Sequence, residues 1–229
     1  MTKIAIIPAR GGSKRIPKKN IKPFLGKSII RYSIEAAIQS NLFDHVIVST
    51  DDQEISKIAV ESGAIVPFVR SEKNSDDHAI LADVLLEVLL FYQAKNIYFD
   101  EVCCLLPTAP FVSSKQLKVS YNKLNIEKLD SVFPVLSYSF PIQRSLQIVQ
   151  EKVKMVWEEH MSSRSQDLEK RYHDAGQYYW LRTEVFLQEK KLFMKNSGAI
   201  VISELEAQDI DTETDWKLAE LKYKLLKNE

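Results

Sequence analysis

The sequence predicts an α/β fold of Rossmann-like type: a mostly parallel sheet with helices on both faces and a small region projecting from it. Three observations carry this expectation. Short apolar runs alternate with helical patterns through about residue 136, the signature of strands covered by crossover helices. The first apolar run, Ile4-Ala5-Ile6-Ile7, breaks off at Gly11-Gly12 among basic residues, as a buried strand does when it hands over to a binding loop. After about residue 137 the alternation gives way to two short runs with the look of a hairpin.

The elements follow in order. Residues 3–7 read as a strand. Residues 28–39 read as a helix, with Ile29, Ile30, Tyr32, Ser33, Ala36 and Ala37 at helical spacing. Residues 45–49 are β-branched and strand-like. Residues 53–61 are helical and stop at Ser62-Gly63, and residues 65–69 make a short strand. A strong apolar stripe marks a helix over 79–93; residues 101–106 form a strand, 113–126 a helix and 131–136 a strand. Runs at 146–149 and 153–157, separated by Gln150-Glu151-Lys152, form the hairpin. Residues 162–175 are polar without periodicity. A strand at 177–182, a helix at 183–188, strands at 199–202 and near 203–207, and an amphipathic helix at 212–226 complete the chain. Thr212 and Asp215 suit the cap of that last helix.

A length of 229 residues with 45% hydrophobic content supports one domain, residues 1–229, with 138–176 as an insertion. The formal net charge of zero argues against general nucleic-acid or membrane-surface binding. No run approaches the roughly 18 apolar residues of a membrane helix, and no apolar leader follows Met1, so the expectation is a cytoplasmic protein. Cys103 and Cys104 are strand neighbours pointing to opposite faces, which suits core residues and neither a disulfide nor a metal pair.

The basic residues Arg10, Lys14, Arg15, Lys18 and Lys19 are concentrated around Gly11-Gly12 by placement, because the chain as a whole is neutral. Glycines there are free to take positive φ and admit a ligand to the main chain, and successive amides make an anion nest. The loop lacks both G-x-x-x-x-G-K-[ST] and G-x-G-x-x-G, so it speaks for a polyphosphate without naming one. Loops following residues 7, 49, 69, 106 and 136 are expected on one rim, beyond the carboxyl ends of the strands. Farther along, Asp209 and Asp211 flank Ile210; in an extended segment both carboxylates face one side and call for a cation. Magnesium takes one or two carboxylates plus substrate phosphates, so loop and pair together indicate Mg²⁺-assisted phosphoryl or nucleotidyl transfer. Thr50-Asp51-Asp52 reads as the cap of the next helix. His45, His78 and His160 read as ordinary polar residues. His173 lies among Arg164, Gln166, Asp167, Asp174 and Gln177, a set that suits either a sugar-acid pocket or a hydrated loop.

These segments resemble the cytidylyltransferases that activate nine-carbon sialic-type sugars as CMP conjugates. The likeness rests on I-I-P-A-R-G-G-S-K-R-I-P-K-K-N-I, F-D-H-V-I-V-S-T-D-D, P-T-A-P and D-I-D-T-E-T-D-W, in the family's order over nearly the whole chain. Ser139–Arg144, Arg164–Glu169 and Tyr172–Trp180 look most like the pseudaminic acid branch. The resemblance implies a nucleotide-diphospho-sugar transferase fold. It also implies transfer of CMP from CTP to the sugar acid's anomeric hydroxyl with release of pyrophosphate, Mg²⁺ dependence, and a homodimer whose projecting region crosses to the partner's site. By position it implies nucleotide contacts from Ala9, Arg10, Gly11, Gly12, Ser13, Lys19, Asn20 and Arg70. Asp209 and Asp211 are implied as metal carboxylates, acting in catalysis with Arg10 and Lys19. Sugar contacts are expected from Gln143, Arg144, Arg164, His173 and Gln177. Two positions depart from the neuraminate pattern: Leu106 stands where Gln precedes P-T-x-P, and Ala79-Ile80-Leu81 lacks the usual hydroxyl residue. The alternatives are activation of N-acetylneuraminate, legionaminate or 3-deoxy-manno-octulosonate, and, in another class, a non-catalytic CTP-binding module.

Overall fold

The computed structural model describes residues 1–227. Strand β1 (Lys3–Pro8) is buried from Ile4 onward. After the basic loop, the short strands β2 (Pro23–Phe24) and β3 (Lys27–Ser28) pair across Leu25-Gly26 and lead into α1 (Ile29–Ser40). Next come β4 (His45–Ser49), α2 (Gln53–Glu61), α3 (Leu81–Gln93), β5 (Glu101–Leu105), α4 (Ser114–Ile126) and β6 (Ser131–Ser137). The second part holds β7 (Leu146–Val149), β8 (Lys152–Met155), β9 (Tyr172–Asp174), β10 (Tyr178–Arg182), α5 (Thr183–Glu189), β11 (Ser197–Val201) and α6 (Glu213–Lys227). No helix among the described residues is long and apolar enough to cross a membrane.

The main sheet runs β11-β6-β10-β5-β1-β4, with β9 also on β6. The pairs β1–β4, β1–β5 and β11–β6 are parallel, whereas β10 pairs antiparallel with both β5 and β6, and β9 antiparallel with β6. Five strands therefore point one way and β9 and β10 the other. β9 and β10 occupy successive stretches of β6: Trp180 and Leu181 face Val132 and Ser131, while Asp174 to Tyr172 face Val135 to Ser137. The chain bends between them at Gly176, whose φ of +62° is one a glycine takes without strain.

Alternation along the strands builds a core on each face. Ala5, Ile7, Val48, Cys103, Leu105 and Trp180 pack under α1, α2 and α4; Ile4, Ile6, Ile47, Cys104, Tyr179 and Leu181 pack under α3 and α5. The two cysteines do lie on opposite faces, both fully buried, and burial pushes the Cys104 thiol up to about 12. Helix α2 is capped by Asp52, which accepts from Ile55 N–H at 2.9 Å. Ser113 and Gln116 form a capping box on α4. Thr212 and Asp215 do the same for α6, with Asp215 Oδ2 accepting from Thr212 N–H at 2.7 Å.

A third cluster sets the position of the rim. Ile16, Phe24, Ile29, Tyr32, Phe111, Trp216 and Ala219 pack together, so the basic loop, through Ile16, is fastened to α6. Burying a side chain such as Ile16 is worth about 1.5–3 kcal/mol. The segment entering α6 is thereby brought to the loop almost two hundred residues earlier in the chain.

The structure departs from the sequence reading in four local places. Residues 65–69 form no strand; Ile65 and Val69 make isolated bridges to Ile47 and Thr50 at the sheet edge. Residues 203–207 fold as a 3₁₀ turn capped by Ser203 and Glu206. The polar stretch 162–175 contains β9, too short and too exposed to show alternation. The hairpin turn is two residues, not three: Gln150 (φ 49°) and Glu151 (φ 64°) are left-handed, the geometry that matches strand twist, and Lys152 begins β8.

Candidate active site

Beyond the carboxyl ends of β1 and β5 lies a cavity of about 400 Å³, whose walls include Pro8, Arg10, Ser13, Lys14, Arg15, Lys19, Asn20, Asp77 and Leu106 to Thr108. Its floor continues the sheet. Ala9 is buried, and its amide donates to Ser49 O at 2.9 Å, extending the β1–β4 pairing by one residue. Leu106 is held from both sides: its amide donates to Gln177 O at 2.8 Å and its carbonyl accepts from Ser33 Oγ at 2.8 Å. The buried Asn20 ties the neck of the loop, donating Nδ2–H to Arg10 O at 2.8 Å.

The glycines work differently from the sequence expectation. Neither Gly11 nor Gly12 has positive φ; that conformation falls to Lys18 at 53°. Gly11 is required by close approach, since an added Cβ would lie 2.9 Å from Cβ and Oδ2 of Asp52. Its amide donates to Asp51 Oδ1 at 2.9 Å, and the Ser13 amide donates to Gly11 O at 2.9 Å, so neither is a free anion donor. Gly12 alone fits the nest: a Cβ there would meet only open space, and among the described residues its amide has no protein acceptor. Asp52 caps α2, as the sequence reading of Thr50-Asp51-Asp52 expects, while Asp51 braces the loop, a role that reading missed. The cue for Asp51 is a carboxylate ending the strand beside the glycine loop.

Each cation in the cavity wall meets an acid from this chain. Arg10 lies 3.0 Å from Asp77 Oδ1, and Lys14 pairs with the other oxygen of Asp77. Arg15 donates to Asp211 Oδ2 at 2.6 Å. Lys19 is the most sheltered of the four; it donates to Ile210 O at 2.7 Å and stands 3.6 Å from Asp211 Oδ1. Ile210 is buried, which turns Asp209 and Asp211 outward on either side of it, as the alternation predicts. Partial desolvation and then the charge of Asp211 hold the Asp209 carboxyl above its ordinary value. A carboxylate held so close to a second one suits a hard divalent cation whose other donors are phosphate oxygens. Among the described residues no third His, Cys, Asp or Glu joins them, so phosphate and water would complete the shell.

Arg70 is buried at the end of β4, donating Nε–H to Ser49 Oγ at 3.0 Å and a second N–H to Ser49 O. Burial pushes its guanidinium down to about 10. It backs the rim rather than lining the cavity. Gln177, equally buried, stands beside Leu106; its amide donates to Glu206 O at 2.6 Å, and its Oε1 has no partner among the described residues. Nearby, the buried Tyr179 hydroxyl donates to Asp174, and Asp209 is among the charges it feels. Gln143, Arg144, Arg164 and His173 are not brought to the cavity. Gln143 donates to Glu169 O at 2.8 Å, Arg144 reaches Ser165, Arg164 pairs with Asp167 at 3.1 Å, and His173 donates to Asp174 O at 2.9 Å while its ring meets Tyr138. These contacts knit the projecting region to itself.

A family model described as Cytidylyltransferase matches residues 4–224. The chain is 42% identical to the pseudaminic acid cytidylyltransferase of Campylobacter jejuni, over 98% of this chain and 97% of that one. It is 30% identical to the CMP-N,N'-diacetyllegionaminic acid synthase of Legionella pneumophila, over 95% and 94%. Among solved structures it superposes on a CMP:2-keto-3-deoxy-manno-octonic acid synthetase complexed with CTP, with a TM-score of 0.70 over the full length of both chains. At 16% identity that likeness speaks for the fold.

Proposed function

Because the chain belongs to the cytidylyltransferase family, we propose that it transfers CMP from CTP to the anomeric hydroxyl of pseudaminic acid, releasing pyrophosphate. The observation that supports the transfer chemistry is the gathering of four loop cations in one cavity wall, two of which, Arg15 and Lys19, reach Asp211 of the Asp209/Asp211 pair at its margin. The 42% identity to a pseudaminic acid cytidylyltransferase supports the acceptor.

Arg10, Lys14, Arg15 and Lys19 bind the triphosphate, and the Gly12 amide adds a neutral donor. Such preorganised charge is the main source of rate in phosphoryl chemistry, because the chain has little covalent work to do. Lys19, fixed by Ile210 O and the most sheltered of the four, holds its charge where the departing pyrophosphate gains its own. Asp209 and Asp211 would hold Mg²⁺; when bound, the ion neutralises phosphate charge and acidifies the attacking hydroxyl. The cavity wall contains no histidine, and no side chain is assigned as general base.

The projecting region supports a homodimer. On the β7–β8 hairpin, Leu146 faces Met155 and Ile148 faces Val153, so one face is apolar, while Gln147 and Lys154 turn to the other. Leu146, Ile148 and Val153 are more than half exposed. A lone two-stranded hairpin is marginal in water, and a second copy would cover this face. In that assembly Arg144 and Arg164 serve the partner's sugar acid, and Gln177, with its open Oε1, reads the sugar in its own cavity. We place the reaction in the cytoplasm, where CTP is made.

The test is pyrophosphate release with Mg²⁺, comparing CTP with UTP and pseudaminate with N-acetylneuraminate and N,N'-diacetyllegionaminate. The reading expects turnover with CTP and pseudaminate at least about tenfold above the other acceptors, a gap of roughly 1.4 kcal/mol in transition-state binding. Faster turnover of another acid reassigns the acceptor, and CTP binding without pyrophosphate release from any acid rejects the enzyme.

A further inference from the structure

We propose that Asp77 is a built-in counter-ion that competes with the polyphosphate for Arg10 and Lys14 and so limits how tightly nucleotide and pyrophosphate are held. The inference rests on reading the cavity as a phosphate site.

Asp77 has no part in the chemistry described so far, yet it lines the same cavity as the cations it engages. Its two oxygens are divided between them: Oδ1 lies 3.0 Å from Arg10, and Oδ2 accepts from Lys14. The contact is presented by a shaped loop. Asp76 Oδ1 accepts from the amides of His78 and Ala79, at 2.8 and 2.7 Å, closing a turn around Asp77. Asp76 O accepts a further bond from Arg10 at 2.6 Å. The base of the loop is fixed to α3, where Glu87 accepts from Ser71 N–H at 3.0 Å and Asn74 Nδ2–H at 2.8 Å. Lys14 and Arg10 hold the Asp77 carboxyl below the ordinary carboxylate range, so it is charged wherever the protein works.

Asp211 holds Arg15 and Lys19 in the same manner, but it also has a cation to serve. Asp77 has only the pairing. A triphosphate carries several negative charges against the one on Asp77, and exposed ion pairs are weak, so the ligand displaces the carboxylate readily. The return of Asp77 to Arg10 and Lys14 then favours departure of the multiply charged product. The residue thus trades affinity for release.

The experiment titrates tripolyphosphate and CTP, each with Mg²⁺, into wild-type protein and the Asp77→Asn and Asp77→Glu variants by calorimetry, and measures product inhibition by pyrophosphate. Asp77→Asn should bind both ligands about three- to tenfold more tightly, the range expected for losing one or two exposed ion pairs. Pyrophosphate should inhibit that variant more strongly by the same factor, and Asp77→Glu should match wild type. Equal or weaker binding by Asp77→Asn overturns the proposal, as does equal tightening by Asp77→Glu, which would mean that loop distortion is the cause. If wild type binds neither ligand, the phosphate reading of the cavity falls with it; if wild type binds both and Asp77→Asn binds no better, only the role of Asp77 falls.

Discussion

The cavity rim and the projecting hairpin solve opposite problems. On the rim, charged side chains find partners within the chain: Asp77 and Asp211 between them hold Arg10, Lys14, Arg15 and Lys19. On the hairpin, Leu146, Ile148 and Val153 lie open to solvent. The rim is therefore assembled by one chain before any ligand arrives, which is what electrostatic preorganisation requires. The hairpin is the surface that the proposed second copy would complete. Nucleotide grip and assembly should then be separable by mutation.

The largest effect is expected at Asp211. Asp211→Asn removes the charge that faces Asp209, Arg15 and Lys19. Pyrophosphate release at fixed Mg²⁺ should fall by about a hundredfold or more, the scale of losing one preorganised electrostatic group. Far-UV circular dichroism and sedimentation should match wild type. Full turnover would remove Asp211 from the metal role, and a change in assembly would break the separation between the two regions.

Ile148→Lys probes the other side. A charge placed on the apolar face, opposite Val153, should weaken self-association by about thirtyfold, the scale of a central interface residue. Sedimentation velocity over a concentration series reads this directly. CTP binding should stay within about twofold of wild type, since the cavity belongs to one chain, while sugar-dependent turnover falls with the dimer. A wild-type protein that remains monomeric at all concentrations sinks the dimer.

How far the two regions could be read from sequence differs for the same physical reason. Apolar periodicity reports burial, so β1, β4, β5, β6 and the helices were legible to within a residue or two, as was the pairing of Thr212 with Asp215. Strand direction leaves no mark on periodicity, and nothing in Tyr178–Arg182 announces that β10 lies antiparallel between β5 and β6. Residues 65–69 carry strand-like composition, but at the sheet edge they make only two bridges. On the rim, the basic cluster and the Asp209/Asp211 alternation were visible because each is local. Asp51 and Asp77 were not, because each acts on residues far along the chain. The sequence separates Asp77 from Arg10 by three strands and two α-helices, and only the fold brings them together.

The two glycines sharpen the account of the rim. Gly11→Ala forces a Cβ against Asp52 Cβ and Oδ2 and should destabilise the protein by about 1–3 kcal/mol, as overpacking does. Gly12→Ala meets open space and should melt like wild type while raising the KM for CTP severalfold, because the new methyl stands where a phosphate approaches. Thermal melts and CTP titrations on the pair separate the two roles. Equal melting temperatures would mean that Asp52 moves aside, and the close-approach explanation of Gly11 would be lost.

The smallest effect concerns Asp215, which accepts from the amides of Asp211 and Thr212 and from the Thr212 hydroxyl at the start of α6. These bonds, the Thr212 hydroxyl first, hold its carboxyl below the ordinary 3.8. A group whose pKa is lower folded than unfolded contributes stability above the unfolded value and loses it as pH falls through the folded one. Asp215→Asn should therefore melt a few degrees below wild type at neutral pH, roughly the effect of weakening one helix cap. The gap should begin to close as pH drops past about 3.8 and vanish in stronger acid. Because the same carboxylate holds the Asp211 amide, the variant should also loosen the Asp209–Asp211 segment, and, if that segment holds Mg²⁺ as proposed, a rise in the Mg²⁺ concentration needed for half-maximal turnover would accompany the lost stability. A melting gap that stays constant with pH would mean that the cap acts through shape and not through charge.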